Sequence, residues 1–106
     1  MGYSRKDLLR RVTHRTKPIL DHLDKIRTSP HRNQCELKWW NDIAKHAGIV
    51  ATELARIHEK HTTEVFPFAL ELVQETINHF PDRVLSHRAM SMVEEALKER
   101  GVDTRD

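Results

Sequence analysis

Imidazoles are unusually frequent among the groups here that could do chemistry, with eight histidines in 106 residues. His58 and His61 stand at i, i+3, a spacing that puts two rings on one face of a helix. Two such rings supply half of a tetrahedral metal site, and a third ligand would have to come from another helix. His22, on the margin of the first apolar stripe, is the residue placed to provide it. A simpler role competes with this one: imidazoles near a helix end hydrogen-bond its last carbonyls and sit favourably in the field there. The run His58-Glu59-Lys60-His61 is one residue too short for H-E-x-x-H. Glu-x-x-His pairs on two helices, the mark of a di-iron carboxylate bundle, are missing. The expectation is no cofactor, with His22, His58 and His61 as the alternative metal set.

A second chemistry lies in the charge distribution. Residues 1–32 hold nine Lys/Arg against three Asp, and residues 33–106 hold nine Lys/Arg against thirteen Asp/Glu, so the formal charges are +6 and −4. Lys6, Arg10, His14 and Lys17 share the face opposite Leu8, Val12 and Ile19, with Arg11 and Arg15 bordering the apolar side. Cations in such a row can neutralise phosphates. The alternatives are a solvated helix face, or a surface that pairs with Glu71, Glu75, Glu94, Glu95 and Glu99 of the second half. Helix-turn-helix spacing, a zinc finger and an RNA-binding aromatic motif are all missing.

Aromatic and aliphatic residues at stripe margins suggest contacts with another chain. Trp39 and Trp40 are adjacent and so point about 100° apart on a helix. Trp40 belongs to an apolar stripe, whereas Trp39 falls at its edge, and Ile49 and Phe68 fall off their stripes. Together these three allow a partner surface, because large aromatics are enriched at interface centres. Cys35 lies near a helix start, which lowers a thiol pKa, but no second cysteine or motif accompanies it. Serine, histidine and aspartate are plentiful without any spacing that assembles a triad, and no glycine-rich phosphate loop exists. The chain reads as non-catalytic.

The elements that must position these residues follow from hydrophobic periodicity. In Glu36 to His61, Trp40, Ile43, Ala44, Ala47, Val50, Ala51, Leu54 and Ile57 repeat at helical spacing. The stripe is wide enough to need at least two covering helices. Residues 4–27 form a first helix with Leu8, Val12, Ile19, Leu23 and Ile26 on one face and Ser4 as cap. Pro18 predicts a kink or short break near Thr16 to Lys17. Thr28 to Asn33 reads as a loop, with Asn33 capping the central helix and Glu36 at capping-box spacing. Gly48 inside that helix implies close approach of a neighbour. Thr62 or Thr63 can cap a third helix with Phe66, Ala69, Leu70, Val73, Ile77 and Phe80 inward, and Pro67 fits its first turn. Pro81 ends it, Asp82 caps a fourth helix with Val84, Leu85, Ala89, Met92, Val93 and Ala96 inward, and Gly101 stops that helix.

The result is an all-α chain: an antiparallel bundle of about four helices, the first kinked at Pro18, in a single domain over 1–106 with a loose tail at 101–106. A helical hairpin completed by dimerisation is the alternative. A lone cysteine fits a reducing compartment, no apolar run is long enough to span a membrane, and no apolar region follows the N-terminal charges as in a signal peptide. A cytoplasmic location is expected. The function read from this is a small interaction module, a self-associating regulator or adaptor whose partner is a second copy or another protein. A nucleic-acid-binding protein is the alternative, and a histidine-based metal-binding bundle the second.

Overall fold

The computed structural model describes residues 5–29, 32–61 and 65–102, and of Arg32 to Gln34 and His61 only the backbone. Four helices account for them: α1 (Arg5–Thr28), α2 (Arg32–His61), α3 (Phe66–Asn78) and α4 (Arg83–Glu99). The longest, α2, has 30 residues, about 45 Å at 1.5 Å per residue. It sets the length of a body measuring 47 × 24 × 22 Å.

Helix directions follow from cross-helix contacts. Arg11, early in α1, meets Glu53, late in α2, whereas His22, late in α1, meets Asp42, early in α2. These two helices are antiparallel. Arg88 lies over Trp40, and Arg100 reaches Gly48 and Thr52, so α4 runs parallel to α2. Arg5 lies over Phe68 and Arg27 over Phe80, so α3 runs parallel to α1. Sequential helices are therefore antiparallel, as short connections require. The most extensive packing joins α1 to α2, α2 to α4 and α1 to α3, while α1 barely meets α4. Around the bundle the order is thus α1, α2, α4, α3.

The core is one cluster drawn from all four helices. Ile19, Leu23 and Ile26 of α1, Ile43, Val50, Ala51 and Leu54 of α2, Ala69 and Ile77 of α3, and Ala89, Val93 and Leu97 of α4 have no measurable exposure. The inward spacing expected of α1 and α2 therefore holds apart from Ala44, which is exposed, and Leu8, which is half-buried at the margin. The Glu36 carboxylate accepts from Trp40 Nε1 at 3.2 Å. Asn33 is not the cap of α2, since helix has already begun at Arg32.

Pro18 causes no break: α1 is continuous through Thr16 and Lys17. Proline leaves the carbonyl of His14 without its helical donor, but Val12 on one side and Ile19 and Leu23 on the other are buried against the same neighbours. Tertiary packing keeps the two halves in one unbroken helix. Thr16 is buried with its hydroxyl donating to the Val12 carbonyl at 2.8 Å.

Other helix ends and margins depart from expectation in instructive ways. The N-cap of α3 is Val65, which makes no side-chain cap bond, and Pro67 occupies the first turn. Ser4, Thr62 and Thr63 lie outside the described residues. Asp82 caps α4 as expected, accepting from Val84 N at 3.0 Å and Leu85 N at 3.2 Å. Val84 itself is not inward but 78% exposed, and Met90 is buried in its place. The inward line of α4 runs Leu85, Ala89, Val93, Leu97, and Val84 lies about 100° off it. Ala44 is likewise exposed. Gly48 has no neighbour in the direction of a side chain, since a Cβ built there meets nothing within 4 Å. The segment after α4 is fixed through Val102, which is 5% exposed. Gly101, at φ 80°, donates to the Lys98 carbonyl while Val102 donates to that of Leu97, each at 3.0 Å. This is the Schellman arrangement, with Val102 and Leu97 in the flanking apolar positions.

Candidate functional site

The sequence-derived residues fall at four separate places. The metal set is dispersed. His22 packs against α2 near its start: its ring stands 5.3 Å from that of His46, and its Nε2 lies 3.5 Å from Asp42 Oδ2. His58 sits 16 residues after Asp42 on the same helix, about 24 Å away along the axis, with its ring edge-on to Phe66 at 4.8 Å. His22 and His58 therefore cannot share an ion. The side chain of His61 lies outside the described residues. Among the described residues no group of three His, Cys, Asp or Glu is arranged to hold a metal.

His22 and His46 form a pair that their sequence separation concealed. Pro18 O lies 2.8 Å from His22 Nδ1, and since a carbonyl only accepts, Nδ1 donates. Nε2 then faces the Asp42 carboxylate. Burial holds the pKa of His46 below its ordinary value, with His22 and Lys45 lowering it further and Asp42 acting against them. Only α1 and α2 contribute to this cluster.

The basic row on α1 is real but shorter than the sequence suggested. Lys6, Arg10, His14, Arg15 and Lys17 are exposed, whereas Arg11 is half-buried. Its Nε donates to Glu53 Oε1 at 3.1 Å, and Glu53 is only 9% exposed. Arg11 therefore belongs to the α1–α2 contact. Glu53 is buried on the α1 side of α2 by this contact.

The structure adds cations that the charge sums hid. On α2, Lys38, Lys45, Arg56 and Lys60 are exposed. Lys38, Lys45 and Arg56 are spaced by 7 and 11 residues, which brings them within about 20° of one line. Among the described residues, α1 and α2 together expose eleven Lys/Arg and four Asp/Glu, while α3 and α4 expose three Lys/Arg and five Glu. The α1–α2 side is strongly basic, and the α3–α4 side is weakly acidic. The expected pairing partners Glu71, Glu75, Glu94, Glu95 and Glu99 all lie on that other side.

Trp39, Ile49 and Phe68 do not form one surface. Trp39 is half-buried against the core and Ile49 is half-buried farther along α2. Phe68, on α3, is 50% exposed with the Arg5 guanidinium 4.2 Å above its ring. Among the described residues, the large apolar side chains that the fold leaves most open are Leu37, at 75%, and Val84, at 78%. Sequence reasoning passed over Leu37 and turned Val84 inward. The one available signal was that each lies about 60–100° from the nearest inward residue of its helix.

No family model, curated protein or solved structure matches this chain. The surface therefore carries the functional reading. Two open depressions lie beside α2, one against residues 100–102 that follow α4 and one against α4 itself. One, about 480 Å³, has Thr52, Arg56, His58, Glu59 and Arg100 in its wall, and the other, about 350 Å³, has Ala44, Arg88, Met92, Glu95 and Ala96. In the first, Arg100 is already committed, donating to Thr52 Oγ1 at 2.7 Å. No described helix is long and apolar enough to cross a membrane.

Proposed function

We propose that this protein is a non-catalytic helical binding module whose working surface is the basic α1–α2 side, and that its partner is nucleic acid. The observation supporting this is the segregation of exposed charge, with eleven cations against four carboxylates on two adjacent helices. A solvated face needs no such imbalance, because mixed charges solvate a helix as well. Arg10, His14, Lys17 and Lys25 along α1 and Lys60 on α2 supply phosphate contacts, which position a polyanion without reading its sequence. Both helices are rigid rods locked by the core, so the cations are held at fixed spacings.

The test is binding to a labelled duplex and a single strand at low salt, repeated across a salt series. Affinity should fall steeply with salt, because each neutralised phosphate releases counterions. The variant Arg10→Ala with Lys17→Ala should bind less tightly and show a shallower salt dependence. No retardation of either nucleic acid at low salt would rule the reading out. The adaptor reading has its own support in the exposed Leu37 and Val84, which do not lie on the basic side.

A further inference from the structure

We infer that the outer side of the α2–α4 pair is a two-fold interface with a second copy of this chain, seating Leu37 of each copy against Val84 of the other. The two helices are parallel, and the contact of Arg88 with Trp40, 4.1 Å from guanidinium to ring, fixes a common level. From that level Leu37 lies three residues back and Val84 four, about 4.5 and 6 Å along the axes. The two most exposed large apolar side chains of the described residues therefore sit at the same height on neighbouring helices, 75% and 78% exposed. A two-fold axis parallel to the helices places α2 of one copy over α4 of the other at equal height, so each apolar residue meets its counterpart twice.

Charge fits the same operation. From the shared level Lys45 lies about 7.5 Å forward on α2 and Glu95 about 10.5 Å forward on α4. Both are exposed. The axis brings the lysine of each copy opposite the glutamate of the other. Between these points α2 exposes Asn41 and Ala44, uncharged and short enough for close approach, with Lys38 at the margin on the same line as Lys45. A side of a body 47 × 24 × 22 Å offers about 1,000 Å², and a stable interface needs about 800 Å² from each partner.

Sedimentation equilibrium of the full chain tests this, with nucleic acid absent so that the result does not depend on the proposed function. The wild type should be a dimer. Leu37→Glu and Val84→Glu should each weaken it about tenfold or more, as expected for an apolar anchor at an interface centre, with unchanged helical content because both sites are exposed in the single chain. Lys45→Glu should weaken the dimer, and adding Glu95→Lys to it should restore association. A wild-type monomer, or a dimer indifferent to all of these changes, would overturn the inference. So would an association that needs nucleic acid, which would assign the face to that ligand instead. Loss of nucleic-acid binding in Arg10→Ala with Lys17→Ala leaves the dimer untouched, so the two readings fail separately.

Discussion

Two residues in α2 show how the surroundings decide what a side chain does. Gly48 costs a helix interior about 1 kcal/mol relative to alanine, and here nothing offsets that cost, since a Cβ would meet open space. Gly48→Ala should therefore raise stability by up to about 1 kcal/mol, partly by restricting the unfolded chain. Urea denaturation with an unchanged slope would check it, and a loss of stability would show that the open space is needed.

His46 predicts a pH effect of definite sign. Its folded pKa is below the ordinary value of 6.5, so the unfolded state binds the proton more readily. The stability it contributes is fully present above pH 6.5 and is lost as pH falls through the lowered folded value. The urea midpoint should decline between pH 7.5 and 5, and His46→Asn should flatten that decline. The charged and titratable groups that act on it are His22 across the helix contact and Lys45 and Asp42 on its own helix. An unaltered pH profile in the variant would exclude His46 as the source.

At the scale of the helices, termini and packing divide the work. Asp82 supplies two acceptor contacts to the first turn of α4, and Asp82→Ala should cost about 1 kcal/mol, the usual size of such a change at an N-cap. Thermal unfolding measures this, and a midpoint equal to wild type would mean that water replaces the cap. The third helix begins without a side-chain cap, so it depends more on buried Ala69, Val73 and Ile77 than on its end. Pro18 belongs to the same comparison. Local sterics argue for interruption, but a continuous apolar face buried against two neighbours overrides them, because packing contributes more to helix stability than propensity does.

At the scale of the molecule, the ring order α1, α2, α4, α3 sorts the charges. Because α1 and α2 are neighbours, the basic stretch of residues 1–32 is extended by the outward cations of α2, while the exposed glutamates Glu71, Glu75, Glu94, Glu95 and Glu99 are carried by α3 and α4. If that side binds a duplex, replacing both Arg10 and Lys17 by alanine should reduce the magnitude of the salt slope by about 2, roughly one for each phosphate left unneutralised. A change in affinity without any change of slope would point to a folding defect instead. The same arrangement leaves the α2–α4 side, poorer in net charge, for a second copy.

The periodicity of α2 made the bundle legible from the chain alone. A stripe running from Trp40 to Ile57 can only be sealed by other helices, and the hydrophobic effect enforces that seal whatever the chain order. Asp82 and Gly101 were equally legible, because cap chemistry is local. Tertiary structure alone decided which helices touch, and so which distant residues meet. Arg11 with Glu53 and His22 with Asp42 and His46 are pairings across 20 or more positions, set by the crossing of α1 on α2 and invisible to any helical wheel. The exposure of Leu37 and Val84 has the same origin: a residue 60–100° off its stripe is covered or bare according to where the next helix lies, and a single helix's sequence does not carry that information.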